Sequence, residues 1–181
     1  MSERPTELAF IALGSNIEPE YHLPEAILRL QSVGRMEAVS RAYQSQPLGG
    51  RKQPEFLNAA VLLALGEEPA ALRILLREVE KALDRVRTED KYAARTIDLD
   101  LVLLGDRVDP EFPLPDPDIL IHEHLAVPLA ELDPDFCHPI THEALGAIAA
   151  RLRSEGLQPH EEVSQHLSVI LAEAGRADSP D

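Results

Sequence analysis

The sequence has a single cysteine, Cys137, among its 181 residues, so it cannot form an intramolecular disulfide bond. It also lacks any apolar run close to the ~20 residues that a membrane-spanning helix requires. Residues 1–7 lack the charged and then apolar pattern of a secretory signal. We therefore expect a cytoplasmic protein that does not use a membrane as a partner.

Positive charge is also scarce, because 17 lysines and arginines stand against 32 acidic residues, a formal net charge of −15. Nucleic acids and anionic membranes bind basic surfaces that release their counterions. The composition therefore disfavours both as partners, and an anionic small-molecule substrate must be captured by a local group of basic side chains. The chain also lacks Gly-x-x-x-x-Gly-Lys-Ser/Thr, which excludes the usual P-loop phosphate site.

The most informative motif lies at residues 95–101, which read Arg-Thr-Ile-Asp-Leu-Asp-Leu. Alternate side chains of a β-strand face opposite sides, so Asp98 and Asp100 share one face while Leu99 and Leu101 take the other. Two adjacent carboxylates repel each other unless cations lie between them, and Mg²⁺ binds carboxylate, water and phosphate oxygens. The motif favours a magnesium site, and the alternative is a strand with one solvent-exposed face.

Basic residues are concentrated just before this acid pair, at Arg85, Arg87, Lys91 and Arg95. Guanidinium groups bind phosphate oxygens in a forked arrangement, and metal ions neutralise the remaining charge. The pattern favours a polyphosphate substrate. The alternative is an ordinary solvated helix end, where cations are favourable without any ligand.

The predicted elements follow the order strand, helix, strand, strand, helix, strand. This is the ferredoxin-like βαββαβ order of an α+β protein, with an antiparallel sheet, both helices on one face, and the other face left for ligands. The strands are predicted at residues 8–13, 36–43, 57–65 and the segment of the acid pair. The helices begin near residues 21 and 69, and the second has its apolar stripe at Leu72, Leu75, Leu76, Val79 and Leu83.

Other segments have weaker signals. Prolines and glycines between residues 44 and 54 predict a mobile loop, and further prolines predict an extended crossing from Gly105 to Ile119. Asn58 interrupts an apolar row of strand 57–65, and a buried amide needs either backbone partners or a ligand. We predict one domain over residues 1–181, with a core at 8–139 and a C-terminal helical extension at 140–175. The extension and the end of the core are predicted to contain helices at 127–132, 143–153 and 161–174.

Four short segments stand in order along the chain: residues 10–16 (Phe-Ile-Ala-Leu-Gly-Ser-Asn), residues 53–60 (Gln-Pro-Glu-Phe-Leu-Asn-Ala-Ala), Glu80 with Arg85-x-Arg87, and residues 95–100. Together they resemble the 6-hydroxymethyl-7,8-dihydropterin pyrophosphokinase family of folate synthesis. The resemblance implies a ferredoxin-like domain that transfers the β,γ-pyrophosphoryl group of ATP to the pterin hydroxymethyl oxygen and releases AMP. It implies ATP as co-substrate, two Mg²⁺ ions, and small molecules as partners. We expect a monomer or a weak homodimer.

The resemblance also implies a role for individual residues. Asp98 and Asp100 would hold both Mg²⁺ ions, and Arg85 and Arg95 would contact phosphate oxygens. The residues on the nucleotide side would be Glu80, Arg87, Lys91, Tyr92, Asp116 and His122. The residues around the pterin would be Gly14, Ser45, Gln46, Leu48, Phe56, Asn58 and His124.

This chain departs from the family pattern at a few of these positions. His124 stands where the second stacking ring is usually phenylalanine, and His122 stands where the family has arginine. Asp116 replaces a histidine, and Tyr92 replaces a loop tryptophan. These departures bear on nucleotide affinity and pH range, while the acid pair and the pterin amide are intact. The residues alone also allow a magnesium-dependent nucleotide hydrolase or a non-catalytic ferredoxin-like ligand-binding module. Without the resemblance, Phe56 is predicted to be a core residue, and Glu80 a solvated charge on a helix face.

Overall fold

The structure is a computed structural model that describes residues 6–50, 52–90 and 92–177. Within these residues the chain forms a six-stranded antiparallel sheet and five α-helices. The strands are β1 (Glu7–Ser15), β2 (Arg35–Val39), β3 (Tyr43–Ser45), β4 (Phe56–Leu65), β5 (Asp98–Leu104) and β6 (Gln158–Pro159). The helices are α1 (Pro19–Leu30), α2 (Pro69–Ala82), α3 (Glu123–Leu132), α4 (Leu145–Leu152) and α5 (Glu161–Ala177).

The sheet is built around β4. It pairs with β1 along one edge and with β2 and β3 along the other, and β5 pairs with the far edge of β1. The strand order is therefore the one that the ferredoxin-like prediction requires, and the predicted fold class is confirmed. β6 adds a short strand beside β3 at the outer edge.

The predicted strand at residues 36–43 is wrong in one respect, because the structure divides it into β2 and β3. The division lies at Ser40, whose hydroxyl oxygen accepts a hydrogen bond from the Ala60 N–H at 2.8 Å. This side-chain bond takes the place of a regular ladder bond, so the two strands meet β4 separately. The predicted loop at residues 44–54 accordingly contains the end of β3 and a 3₁₀ turn at Leu48–Gly50.

One face of the sheet is covered by α1, α2 and α5. Sheet residues such as Val61, Leu63 and Leu101 pack there against Leu72 and Leu167 of the helices. The predicted stripe of α2 is confirmed at positions 72, 76, 79 and 83 and wrong at 75, which is 37% exposed. The confirmed positions follow spacings of four, three and four residues, and position 75 lies beside that line.

The opposite face is divided into two parts. At one end α3 and α4 pack over Phe10, Leu62 and Val102, because these apolar side chains cannot face water without cost. At the other end the strands have mainly small or polar residues, such as Gly14, Asn58 and Asp98, and none of the five helices in the described residues covers them. The face that we predicted to be left for ligands is thus open over only part of its area.

The C-terminal helices pack on both faces of the sheet, α4 on one face and α5 on the other. α5 reaches the main core through Val163, Leu167 and Ile170. α3 begins at Glu123, four residues before the predicted start, while α4 and α5 lie where helices were predicted. None of the helices in the described residues combines the length and the apolar character that crossing a bilayer demands.

Candidate active site at the open end of the sheet

A cavity of about 250 Å³ lies over the uncovered part of the sheet. It is bounded by β1, β4 and β5, by the segment after β3, and by the start of α3. The structure brings most of the predicted site residues together around it. These are Gly14, Ser45, Gln46, Leu48, Phe56, Asn58, Tyr92, Arg95, Asp98, Asp100, Asp116 and His124.

The sheet register explains why the acids and the amide face the same cavity. Gly14 on β1 lies opposite Asn58 on β4 and opposite Asp98 on β5, and Ala12 lies opposite Asp100. Directly opposed residues of neighbouring strands point to the same face. With strands about 4.8 Å apart, Asn58 and Asp98 are separated by about 10 Å at the backbone.

Asn58 is 7% exposed, and its amide has a fixed orientation. Nδ2 donates to the Tyr43 carbonyl oxygen at 3.2 Å and to the Ser45 hydroxyl oxygen at 2.8 Å. Both amide hydrogens are therefore used, and Oδ1 lies above Gly14. Asn58 thus offers the cavity its amide oxygen as a hydrogen-bond acceptor.

Asp98 is held between two arginines. Its Oδ2 forms an ion pair with Arg95, and its Oδ1 lies 3.6 Å from the guanidinium of Arg85. Burial lowers the pKa of Arg85, whose Nε is buried without a hydrogen-bond partner in the described part of the chain. Arg85 lies behind Asp98 and does not line the cavity, while Arg95 does.

Asp100 has a different electrostatic environment from Asp98. It is exposed to solvent on the side of the cleft, while protein atoms surround the rest of its carboxyl group. Desolvation by the surrounding protein atoms, together with the negative charges of Asp98 and Asp116, raises the pKa of Asp100 to about 7. Its ionised form is therefore unfavourable unless a cation is nearby. In residues 6–50, 52–90 and 92–177 no group of three or more side chains forms a complete metal site. Two carboxylates on one strand face fit an ion that takes its other ligands from water and substrate.

Glu80 does not reach the cavity, and it is not the solvated helix-face charge of the alternative interpretation. It is 1% exposed, and its Oε1 accepts a hydrogen bond from the Leu99 N–H at 2.9 Å. Its Oε2 forms an ion pair with Arg87, which also lies outside the cavity. Because Leu99 separates Asp98 from Asp100, Glu80 holds the strand on which both acids are carried.

The two histidines lie at the start of α3. His124 lines the cavity, and His122 lies in an adjoining cavity that shares Ser45, Gln46, Leu48 and His124 with the first. The two ring centroids are 5.2 Å apart. Burial, and to a lesser degree His122, lower the pKa of His124 to about 4. Its ring is therefore neutral at neutral pH and can stack as an uncharged aromatic.

Other predicted residues line the cavity near its mouth. Asp116 caps the 3₁₀ turn Pro117–Leu120 through a 2.9 Å bond from the Asp118 N–H to its Oδ1, and burial raises the pKa of Asp116. The Gln53 side chain donates to the Tyr92 carbonyl oxygen at 3.1 Å. Gln53 and Asp118 line the cavity and were missed, although Gln53 lies in a motif quoted above. Lys91 lies outside the described residues.

The fold and the cavity define a ferredoxin-like α+β domain with a polar cleft that carries a carboxylate pair, an arginine and a buried amide. The sequence model of the 7,8-dihydro-6-hydroxymethylpterin-pyrophosphokinase (HPPK) family matches residues 10–134, well over half of the chain. The chain therefore belongs to this family, and the resemblance found in the sequence is confirmed.

Individual relatives agree with this assignment. A 2-amino-4-hydroxy-6-hydroxymethyldihydropteridine pyrophosphokinase of Bacillus subtilis is 33% identical over 145 residues, which cover 77% of this chain and 84% of the relative. The protein of that name from Synechocystis is 35% identical over 136 residues, or 72% and 69% of the two chains. The folic acid synthesis protein fol1 of Schizosaccharomyces pombe is 31% identical over 157 residues, 84% of this chain but 21% of that protein.

Solved structures support the fold. Plasmodium falciparum HPPK-DHPS in complex with pterin and p-hydroxybenzoate superposes with a TM-score of 0.69 at 11% identity. The match covers 88% of this chain and 47% of that one. The chain thus spans less than half of this structural neighbour and about a fifth of the yeast protein.

Proposed function

We propose that this chain transfers the pyrophosphoryl group of ATP to 6-hydroxymethyl-7,8-dihydropterin, giving the pterin diphosphate and AMP in folate synthesis. One observation carries the proposal: the acid pair and the Phe56–Asn58 surface line the same cavity. A nucleotide hydrolase needs the acids but has no use for a buried amide beside an aromatic ring. The chain's membership of the HPPK family supports the same reaction.

The pterin is assigned to the side of the cavity formed by β3 and β4. Phe56 and the neutral ring of His124 offer flat surfaces to the bicyclic ring. Asn58 Oδ1 would accept a hydrogen bond from an N–H of the pterin edge. Backbone groups of Ser45, Gln46 and Leu48 would bind the rest of that edge, and Gly14 leaves room above the sheet.

The triphosphate is assigned to the side formed by β5. Arg95 would bind phosphate oxygens and exchange part of its contact with Asp98 for the substrate. The resemblance assigns Arg85 to the phosphates as well, but Arg85 lies behind Asp98 and its side chain would have to move to reach them. The other residues that we assign to the nucleotide side are Arg87, Lys91, Tyr92, Asp116 and His122. Glu80 is assigned a supporting role through Leu99 and Arg87, because its carboxylate is buried.

Asp98 and Asp100 would hold Mg²⁺, and the number of two ions follows from the family resemblance. The bound metal would neutralise phosphate charge and make the hydroxymethyl group a better nucleophile. The residues fit this group, because Asp100 is ionised at neutral pH only at a cost that a cation removes. Asp98 forms an ion pair with Arg95.

The reaction needs no covalent intermediate with the protein. The hydroxymethyl oxygen forms a bond to the β-phosphorus, and the bond from that phosphorus to the α-phosphate oxygen breaks. AMP leaves with the bonding electron pair, and the hydroxyl proton is released to solvent. The contribution of the protein is to align the two substrates and to stabilise charge on the phosphates.

The nucleotide that is formed from ATP identifies the reaction. Protein, ATP and Mg²⁺ are incubated with and without the hydroxymethyl-dihydropterin, and the nucleotides are separated by chromatography. AMP that forms only with pterin present supports the proposal. Pterin-independent ADP or AMP would indicate a hydrolase, and binding without turnover would indicate a non-catalytic module.

A further inference from the structure

Asn16 lies below the cavity and joins separate segments of the chain. It is 2% exposed and does not line the cavity itself. Its Oδ1 accepts a hydrogen bond from the Arg95 N–H at 2.8 Å, and its Nδ2 donates to the Pro54 carbonyl oxygen at 3.2 Å. One amide therefore links the end of β1 to the segments that lead into β4 and β5.

Backbone bonds strengthen the link to Arg95. The N–H groups of Asn16 and Ile17 both donate to the Arg95 carbonyl oxygen at 3.1 Å. Arg95 is thus held on both its N–H and its carbonyl sides. These contacts use only the backbone of Arg95, whose guanidinium pairs with Asp98 and donates from Nε to the Ala93 carbonyl oxygen at 3.2 Å.

Each segment that Asn16 joins leads to a side chain that we assign to one of the two substrates. Pro54 comes two residues before Phe56, which is assigned to the pterin, and Arg95 is assigned to the phosphates. The Arg95 guanidinium carbon lies 5.8 Å from the centre of the Phe56 ring. In the proposed reaction, the distance between these two groups sets how the pterin hydroxyl approaches the β-phosphorus.

We infer that Asn16 is a positioning residue for the transfer step, an inference that rests on the function proposed above. Its amide holds the Pro54 segment and Arg95 at a constant separation, so that the pterin hydroxyl is aligned with the β-phosphorus of ATP. Reacting groups misplaced by about 1 Å can lose about 100-fold in rate, while each substrate still binds its own side of the cleft.

Two variants of Asn16 test the bond made by its amide oxygen separately from the bond made by its amide nitrogen. Asn16→Ala removes both side-chain bonds, and we expect kcat to fall about 30- to 100-fold while the Kd of either substrate alone changes less than about threefold. Asn16→Asp keeps an oxygen for the Arg95 N–H but sets a second oxygen against the Pro54 carbonyl. It should raise the KM for pterin more than the KM for ATP, with a smaller loss of kcat.

His138→Ala is the matched control. His138 is 1% exposed, lies between α3 and α4, and its Nδ1 accepts bonds from the N–H groups of Ile140 and Thr141. Like Asn16→Ala, this variant removes two hydrogen bonds between a buried side chain and the backbone. It should lower Tm and leave kcat within about twofold of wild type.

The measurements are Tm by calorimetry, the Kd of each substrate by titration, and single-turnover AMP formation. The inference is overturned if Asn16→Ala keeps a wild-type single-turnover rate, or if Asn16→Asp raises both KM values equally. A wild-type protein that binds both ligands without forming AMP would instead overturn the proposed function, and the transfer role of Asn16 with it.

Discussion

The two faces of β5 have opposite character. Leu99 and Leu101 are 4% and 3% exposed and pack into the main core. Asp98 and Asp100 alternate with them and face the cleft. Burial of a leucine side chain stabilises a protein by roughly 1.5–3 kcal/mol, whereas two adjacent carboxylates repel each other.

In one strand, therefore, residues that stabilise the core alternate with residues that line the cleft. The cleft face is unfavourable in the free protein, because Asp100 is ionised only at a cost there. The core face, with the Glu80 bond to the Leu99 N–H, offsets this cost and keeps the acids in place. Substitutions on the two faces should therefore affect different measurements.

Asp100→Ala should have the largest effect of these variants, and that effect should be a loss of turnover without a loss of stability. Loss of a charge-stabilising group in an active site typically lowers kcat about 100- to 1,000-fold. We expect at least this loss in AMP formation, with Tm unchanged or higher, since the variant removes repulsion. Wild-type activity would remove the metal-binding assignment of Asp100.

Leu101→Ala tests the opposite face of the strand. A leucine-to-alanine change in a core costs about 2–5 kcal/mol in the free energy of unfolding. The kcat of the protein that remains folded should stay near wild type, because the cleft face is unaltered. Urea denaturation and an assay well below Tm separate the two quantities. A large loss of kcat in fully folded protein would contradict the separation of the faces.

Asn58→Ala tests whether the two sides of the cleft bind different substrates. The variant removes the acceptor that we assign to the pterin, and leaving a ligand donor unpaired costs about 1–3 kcal/mol of binding free energy. Pterin Kd should therefore rise roughly 5- to 150-fold, with ATP Kd nearly constant. Titration of each ligand alone checks this, and an equal loss for ATP would make Asn58 a structural residue.

Gly14→Ala should weaken ligand binding without destabilising the fold. A Cβ at this position would lie 3.7 Å from Asn58 Oδ1 and 3.8 Å from the Phe56 ring, which are ordinary contact distances. The free protein should keep its Tm, while the added methyl group occupies space above the sheet and weakens pterin binding. A fall in Tm with unchanged pterin affinity would place the new methyl group outside the ligand site.

Asp100→Asn should have a small effect on stability with a distinct pH dependence. The folded protein raises the pKa of Asp100 to about 7, above its ordinary value of 3.8. Between these values the folded state binds more protons than the unfolded state, so this group's contribution to stability is lost as pH rises from about 4 to 7. The variant should therefore gain stability over wild type at pH 8 and almost none at pH 4, in urea titrations without metal. An equal gain at both pH values would contradict the raised pKa.

Much of the site could be predicted because its signals are local. Alternation in β5 placed Asp98 and Asp100 on one face, and short motifs identified Asn58, Phe56 and Arg95 before any contact was known. Other features depend on residues far apart in the chain. The division of the second strand at Ser40 depends on the N–H of Ala60, and the burial of Glu80 depends on Leu99.

The sequence by itself determined the order of the elements and which side chains share a strand face, since backbone geometry repeats every two residues in a strand. Tertiary structure decided which part of the sheet stays open, because α3 and α4 cover only the end with large apolar residues. It also decided that Asn58 offers an oxygen and that Asn16 joins distant segments, since hydrogen-bond partners are set by packing.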